Sequence, residues 1–319
     1  PAIAGTVTVY TDRELLLVMP LARAFERATG HKVVMKVFDR DILDVLLDED
    51  VDSEADVLIT PSVNRLDEAY RLGLTIPVES ATLEERVPAK WRQSDNHWFA
   101  TTVRARGIYV DARAAARFSR LTYEDLASPR FKGRICIRSG THAYNIGLFS
   151  AFDAHHSREE TEAWLAGLKA NLARTPQGND RAQMRQVAEG MCRVAIANSY
   201  YFGLASTHAH QKKWADKIAV VFPRFENGGT HVNFSGMAML ASVDDPEAAQ
   251  AFMEFQLSQE AQRIYARRNF EFPLNAADVD GANLMSLFPE FDRDEVHAQT
   301  IADAGPSIKA IVTELGFND

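Results

Sequence analysis

The sequence has no long hydrophobic run, and no stretch of it approaches the roughly 20 uninterrupted apolar residues that a membrane-spanning helix needs. It is also short of positive charge. Its 35 lysines and arginines face 44 aspartates and glutamates without any long basic run, which argues against a general nucleic-acid binder. With 46% hydrophobic and 25% charged residues, the 319-residue chain fits a folded globular protein, and its length favours two domains.

The signatures of common enzyme classes are missing as well. The chain has no G-x-S-x-G, no H-E-x-x-H and no G-x-x-x-x-G-K-[ST] motif, and no G-x-G-x-x-G follows a strand. Histidines cluster only in "HH" (155–156) and "HAH" (208–210), which we interpret as exposed surface histidines rather than a soft-metal site. The sequence offers no recognisable catalytic nucleophile or base.

Cysteine is scarce, since Cys136 and Cys192 are the only two. Both lie in apolar runs that read as strands, so they are either two buried thiols or one bridge that closes a loop of about 56 residues. A bridge would imply an oxidising compartment. The first residue is Pro1 rather than Met, which fits a secreted protein whose signal peptide has been removed, although a chain cut for another reason looks the same.

Strand and helix patterns alternate along the chain and predict an α/β fold. "GTVTVYT" and "KVVMKVF" read as strands around a helix, "ELLLVMPLARAFERATG", that contains Pro20 and ends at Gly30. The second half repeats this style, with a Ser-capped helix in "SREETEAWLAGLKANLA". Two extended stretches, Trp98–Asp111 and Lys217–Ser242, are interpreted as crossings between two units. After them we expect one long helix in "DDPEAAQAFMEFQLSQEAQRIYARRN" and a last one around "GPSIKAIVTELGF".

Two adjacent tyrosines, Tyr200 and Tyr201, follow the apolar run "VAIA". Phenolate is a hard anionic oxygen ligand, and only a strongly polarising cation displaces a proton whose pKa is near 10, so ferric iron is the candidate ion. Neighbours in a strand point to opposite faces, so we expect the pair where the strand breaks into a loop. Taken alone, the pair is better explained as aromatic packing at a strand end.

A second segment changes that balance. "SGTHAYNIG", residues 139–147, follows a strand and opens a helix, where backbone donors gather for anions and side chains point into a ligand site.

With these pieces in place, the sequence resembles the periplasmic ferric-iron-binding proteins of bacterial ABC importers, the FbpA/FutA-like family with the type II periplasmic binding fold. The resemblance is most specific in "SYYFG" and "AYN". It is supported by "VTVYTDRE", "ADVLIT", "TTVRARGIYVD", "CIRSGTHAYNIGLF", "GMCRVAIANSYYFG", "NFSGMAMLAS" and "SQEAQRIYA". It implies two lobes, each a mixed sheet flanked by helices and joined by two extended crossings. The expected N-terminal lobe is 1–101 with 228–275, and the C-terminal lobe is 102–227 with 276–319.

The resemblance also implies a ligand set. Tyr144, Tyr200 and Tyr201 match the phenolate ligands of the family. Glu14 stands where the family often has a histidine, and Leu15 stands where it can have a further tyrosine. Glu14 is therefore expected either to coordinate the metal or to be an acidic helix-start residue in solvent.

Other positions are implied to support the metal. Arg104 matches a family arginine near the metal, with a hinge-flanking salt bridge as its alternative role. Pro61 occupies the position of a glutamate ligand in some relatives, so water or a synergistic anion such as carbonate is expected to complete the shell. The two cysteines fall where some relatives have them, which favours a bridge. Weaker candidates for holding an anion or supporting the ligands are Arg13, Ser139, Gly140, Thr141 and Asn198.

The function implied by the resemblance is that of a monomeric periplasmic substrate-binding protein. It would capture Fe(III) in an interlobe cleft and deliver it to an ABC permease in the inner membrane, without catalysis and without nucleic acid. Two alternatives remain open. One is a binding protein of the same fold for an anion or phosphorylated small molecule, held by Arg13, Arg104, Ser139 and Thr141 with Tyr200 stacked on it. The other is an enzyme on the same architecture.

Overall fold

The computed structural model describes residues 4–48, 54–275 and 286–319. The chain divides into two compact units: unit 1 is Pro1–Val103 with Phe234–Gly281, and unit 2 is Arg104–Asn233 with Ala282–Asp319. The boundaries fall at 103/104 and 233/234, against expected positions of 101/102 and 227/228. The third expected boundary, 275/276, adjoins residues 276–285, which lie outside the described residues.

Strands and helices alternate through most of the chain. The strands are β1 (Thr6–Thr11), β2 (Lys32–Val37), β3 (Val57–Thr60), β4 (Thr75–Ile76), β5 (Phe99–Asp111), β6 (Ile135–Cys136), β7 (Val194–Asn198), β8 (Ile218–Val221), β9 (Val232–Leu240) and β10 (Phe272–Pro273). The α-helices are α1 (Leu15–Thr29), α2 (Ile42–Leu46), α3 (Val63–Arg71), α4 (Ala81–Arg86), α5 (Ala143–His155), α6 (Arg158–Ala170), α7 (Asp180–Ala188), α8 (Ser199–Thr207), α9 (Ala209–Ala215), α10 (Pro246–Gln256), α11 (Gln259–Ile264) and α12 (Ala298–Glu314). None of the described helices is both long and apolar enough to cross a membrane.

Unit 1 is built on a mixed sheet. Strand β1 runs parallel to both of its neighbours, with Val9 opposite Met35 on β2 and Val57 on β3. Strand β9 is antiparallel to β3, and the short strands β4 and β10 pair antiparallel with β9 and β5. Helix α1 buries one apolar face, where the rings of Phe25 and Phe252 of α10 lie edge to face with centroids 5.2 Å apart. The alternation of strands and helices predicted from the sequence is thus present.

Unit 2 has its own mixed sheet. Strand β5 is antiparallel to β7 and β8, and β6 is parallel to β7. Cys136 at the end of β6 and Cys192 just before β7 form a disulfide with a Cα–Cα distance of 5.9 Å, so the open question about the two thiols is answered by a bridge. Helices α5 and α6 pack through Phe149 and Trp164, whose ring centroids are 5.6 Å apart. The long strands β5 and β9 each run from one unit into the other, as the two predicted crossings do.

Two sequence-based predictions about local structure are wrong. The single long helix expected after residue 244 is two helices, because Leu257 ends α10 and the Ser258 side chain accepts a hydrogen bond from the Ala261 amide and starts α11. The "HH" pair is only half-buried rather than exposed, since the Nε2 atoms of His155 and His156 lie 2.9 and 2.8 Å from carboxylate oxygens of Asp294 and Glu124.

Candidate functional site

The two adjacent tyrosines lie in the first turn of a helix. Strand β7 ends at Asn198 and α8 begins at Ser199, so the loop predicted at this point is absent and the prediction is corrected. Successive residues of an α-helix are about 100° apart around its axis, against about 180° in a strand, so both phenols can face the same side. The rings of Tyr200 and Tyr201 are 4.0 Å apart between centroids, at 32° to each other, and both side chains are buried.

The third tyrosine also starts a helix. Tyr144 is the second residue of α5, whose N-cap His142 accepts a hydrogen bond from the Tyr144 amide at 3.2 Å and packs its ring against the phenol. Helix α5 follows β6 and helix α8 follows β7, and these two strands are parallel. The three tyrosines therefore lie at the carboxyl edge of one sheet, which is where ligand sites of α/β folds form.

Arg104 joins two of these tyrosines. Its guanidinium carbon is 5.4 Å from the centroid of the Tyr144 ring and 5.8 Å from that of Tyr200, and the residue is fully buried. A buried cation within about 6 Å of an aromatic ring is attracted to it, and it also favours the ionised form of a nearby phenol. The structure thus places Arg104 beside the tyrosines, and its role near a metal stays a prediction.

Two further arginines face the same side chains. The guanidinium carbon of Arg138 is 5.1 Å from the Tyr144 ring centroid, and that of Arg181, which directly follows the start of α7, is 4.9 Å from the Tyr201 ring centroid. Each of Tyr144, Tyr200 and Tyr201 therefore has at least one arginine against its ring.

A buried ion pair lies next to the tyrosines. The Arg106 guanidinium donates from Nη1 to Asp180 Oδ2 at 2.6 Å and to Asn198 Oδ1 at 3.1 Å, and from Nη2 to Asn145 Oδ1. Burial alone would raise the pKa of Asp180, but Arg106, Arg138 and the Asn198 amide at 2.7 Å together hold it below its usual value. Asp180 is therefore ionised at neutral pH, and it fixes the start of α8 and the side chains of Arg106 and Arg138.

The environment of the phenols disfavours their ionisation. Burial, followed by the charges of the neighbouring phenols, raises the pKa of Tyr200 and Tyr201 well above the usual value of 10.0. Both phenols are therefore protonated at neutral pH until a cation replaces their protons.

The loop between β6 and α5 is held by the C-terminal segment of the chain. The side-chain amide of Asn318 donates to Ser139 Oγ at 3.0 Å and to Thr141 Oγ1 at 3.3 Å, and its oxygen accepts from the Gly140 amide at 2.8 Å. A Cβ on Gly140 would lie 2.5 Å from the Phe317 ring, so only glycine fits this approach. These three predicted site residues thus serve to fix the loop that precedes Tyr144.

The remaining candidates lie in unit 1. Arg13 is buried and forms an ion pair with Glu271, and its Nη1 is 3.2 Å from Ser235 Oγ, so its charge is already balanced within that unit. Glu14 is exposed at the N-cap of α1. Coordination by Glu14 and anion binding by Arg13 therefore stay predictions.

Sequence reasoning missed several residues of this site. Arg106 could have been found, because it stands two positions after Arg104 in one strand and alternate residues of a strand share a face. Asp180 gave no signal beyond that of an acidic residue at a helix start. Asn318 is separated from the loop it holds by 179 positions, and no sequence pattern predicts that contact. Within the described part of the chain, no group of three or more His, Cys, Asp and Glu side chains could hold a metal ion.

Comparison with known proteins gives consistent results. Residues 52–297 match the family described as bacterial extracellular solute-binding protein. The chain is 36% identical over 314 residues to iron uptake protein A1 of Synechocystis, covering 98% of this chain and 87% of that protein. The fold is similar to that of Mannheimia haemolytica ferric iron-binding protein A in an open conformation, with TM-score 0.90, 37% identity and coverage of 99% and 100%. A Trichodesmium protein solved in complex with iron and citrate matches with TM-score 0.91, 31% identity and coverage of 98% and 100%.

Proposed function

We propose, because the chain belongs to the bacterial extracellular solute-binding protein family, that it is the iron-binding component of a bacterial ABC importer. In this proposal it captures Fe(III) in the periplasm and delivers it to a permease in the inner membrane. It acts as a carrier and not as an enzyme. Its similarity to proteins named for iron uptake and ferric iron binding supports the choice of cargo.

The observation that carries the proposal is the grouping of Tyr144, Tyr200 and Tyr201 at one edge of the unit 2 sheet. All three side chains are buried, all lie in the first turn of a helix, and Arg104 lies against two of them. Burying three hydroxyl groups is costly, so packing alone gives no reason to group three tyrosines rather than three phenylalanines. Binding of Fe(III) does give a reason, because three phenolates neutralise the charge of one such ion. The arrangement thus suits a small, highly charged cation.

Proton release accompanies binding in this proposal. Each phenol that binds iron loses its proton, and burial holds the pKa of Tyr200 and Tyr201 above the usual value. Protons therefore compete with the metal, and iron affinity should fall as the pH falls. Water exclusion around the buried phenols strengthens the attraction between phenolate and metal, which offsets the cost of removing the protons.

The arginines are assigned a supporting role. The guanidinium carbons of Arg104, Arg106 and Arg138 lie 5.4, 5.9 and 5.1 Å from the centroid of the Tyr144 ring. Guanidinium groups beside the phenols suit a small anion, such as carbonate, as a further ligand of the metal. Glu14 of unit 1 remains a proposed additional ligand.

The test is a visible absorption titration of the metal-stripped protein with a chelated ferric salt. Ferric phenolate absorbs visible light, so a charge-transfer band that saturates near one equivalent of iron is expected. Absence of the band from a correctly folded protein would contradict the proposal. It would favour the other candidate, a carrier of an anion or phosphorylated small molecule, which the arginines beside the tyrosines support and whose complex has no colour.

A further inference from the structure

Unit 2 carries a concentrated basic surface at the opposite edge of its sheet from the three candidate tyrosines. Two adjoining cavities, of about 270 and 400 Å³, share Arg193 in their linings. We define the basic face as the cationic residues that line them, which are Arg117, Arg120, Arg130, Lys132, Arg134 and Arg193. All six are exposed. Among the described residues, Asp125, paired with Arg130 at 2.7 Å, is the only carboxylate in either lining.

This concentration is unusual for a protein with a net charge of −9. Apart from Arg130, none of these six side chains forms an ion pair with any residue that the structure describes. By contrast, the nearby Arg113 and Arg185 are paired with Asp111 at 2.8 Å and Glu189 at 2.7 Å. Like charges held together without compensation repel one another, so an external anion stabilises such a surface.

The basic face is separate from the tyrosine site. Arg134 directly precedes β6 and Arg193 directly precedes β7, so they lie at the amino edge of the sheet whose carboxyl edge carries the tyrosines. Strand β7 is 5 residues long, which is about 16 Å. The two sites can therefore be tested independently.

The face also has an apolar component. Met191 lies in the lining of the larger cavity and is 61% exposed, and it is the only large apolar side chain that is exposed among the described residues of unit 2. It sits between Gly190, with φ 79°, and Cys192, whose disulfide to Cys136 ties this turn to β6. The bridge thus holds an exposed apolar side chain next to Lys132, Arg134 and Arg193.

The floor of the smaller cavity is aromatic. Phe118 and Phe131 are buried beneath the arginines, with ring centroids 6.4 Å apart, and the guanidinium carbons of Arg193 and Arg130 lie 5.5 and 5.0 Å from these two rings. Such contacts hold the guanidinium planes in place over the rings. Each of the two adjoining cavities therefore presents cationic side chains in its lining.

We infer that the basic face binds the anionic phospholipid headgroups of a membrane surface, with Met191 entering the headgroup region. Guanidinium groups match phosphate oxygens in a bidentate manner, and several cations with an adjacent exposed apolar side chain are the features of an interfacial contact. The inference does not depend on the identity of the cargo. A soluble phosphate ligand shares the same chemistry but gives no reason for the exposed Met191.

The test is co-flotation of the full protein with vesicles of equimolar phosphatidylglycerol and phosphatidylcholine at about 0.1 M salt. We expect binding to these vesicles, little binding to pure phosphatidylcholine, and loss of binding at high salt. The double substitution Arg117→Gln with Arg193→Gln should lower the partition coefficient about 25-fold, since each cation near an anionic surface is worth about fivefold. Met191→Ser should lower it about tenfold.

The matched control is Arg23→Gln with Arg263→Gln, two exposed arginines of unit 1 that change the net charge equally. This control should bind vesicles like the unsubstituted protein, and all variants should retain iron. Equal vesicle binding by the two double variants would overturn the inference. So would saturable binding of inorganic pyrophosphate without vesicle binding, which would indicate a soluble phosphate ligand, or no binding to either, which would point to an acidic protein partner.

Discussion

Arg106 and Asp180 form an ion pair at 2.6 Å in which neither side chain has any exposure to solvent. Asp180 starts α7 and also accepts the amide of Asn198, the residue at which β7 gives way to the helix of Tyr200 and Tyr201. One buried carboxylate thus connects β5, α7 and the helix that carries two of the proposed ligands.

Replacing Asp180 with Asn should lower the free energy of unfolding by about 3–5 kcal/mol, because Arg106 would remain buried without its partner. The native pKa of Asp180 is held below its usual value, so its contribution is complete above about pH 4 and is lost as the pH falls further. Urea unfolding at several pH values should therefore show the gap between variant and parent narrowing below about pH 4.

Asp216→Asn is the control for that experiment. Its carboxylate pairs with Lys212 in solvent, where both side chains are more than half exposed, so the substitution should cost less than about 1 kcal/mol. A cost for Asp180→Asn no greater than this would show that the buried pair contributes nothing to folding.

Tyr144→Phe and Tyr201→Phe should each weaken ferric iron binding by at least about 100-fold, because each removes one proposed oxygen ligand. The visible band should shift or disappear in the same variants. Tyr109→Phe is the matched control, since Tyr109 is a fully buried tyrosine of unit 2 whose hydroxyl has no hydrogen-bond partner among the described residues. Parent-like iron retention in both ligand variants would contradict the assignment.

His231 should make unit 2 sensitive to mild acid. Burial, with Arg106 and His155 acting in the same direction, lowers the pKa of His231 to about 4, although Asp294 and Asn233 oppose this. The native state therefore holds His231 neutral, and its contribution is complete above about pH 6.5 and is lost as the pH falls from there to about 4. Between about pH 6.5 and about pH 4, the free energy of unfolding should therefore fall by about 3 kcal/mol less in His231→Gln than in the parent. Thermal unfolding at a series of pH values measures this, and His210→Gln, which is exposed, should follow the parent.

The disulfide should stabilise the chain substantially. It joins residues 56 positions apart, and on the chain-entropy model a loop of this length corresponds to about 4 kcal/mol. Cys136→Ala combined with Cys192→Ala should reduce the free energy of unfolding by about this amount in urea. A reductant should destabilise the parent and leave the double variant unchanged. Equal stability of the parent with and without the reductant would show that the disulfide does not contribute this free energy.

Asn318→Ala should weaken iron binding without removing any proposed ligand. It deletes the contacts to Ser139, Gly140 and Thr141 that hold the loop before Tyr144, and loss of such supporting contacts typically costs 10-fold or more in metal affinity. Competition with a calibrated ferric chelator measures the effect. Glu314→Ala, an exposed change in α12, is the control, and equal affinity in both variants would show that the loop does not need the contact.

Much of the fold follows from periodicity in the sequence. The first strands and helices follow from local patterns of apolar residues. The start of α6 is predictable for the same reason, because both partners of its capping box, Ser157 and Glu160, lie within one turn. The predicted loop after "VAIA" was wrong because Ser, Tyr and Phe carry no strong helix preference, while the Asp180 contact to the Asn198 amide fixes the helix start from elsewhere in the chain.

The site was predictable only in part. The tyrosines were found through a family resemblance in short motifs. The buried carboxylate of Asp180, which pairs with Arg106, could not be found in this way. Neither its burial nor its pairing with a residue distant in the chain leaves a pattern in the local sequence. The assignments of Glu14 and of Ser139, Gly140 and Thr141 stay predictions. The contacts of the last three with Asn318 show that residues beside a candidate site can also hold the loop in place.

The contact between Asn318 and the loop at residues 139–141 sets an order of events in biosynthesis. The two partners are 179 positions apart, which corresponds to roughly ten to forty seconds of translation at typical rates. Any iron site that depends on this loop therefore stays incomplete until Asn318 has been made. The order of synthesis thus delays completion of the loop beside Tyr144 relative to the tyrosines themselves.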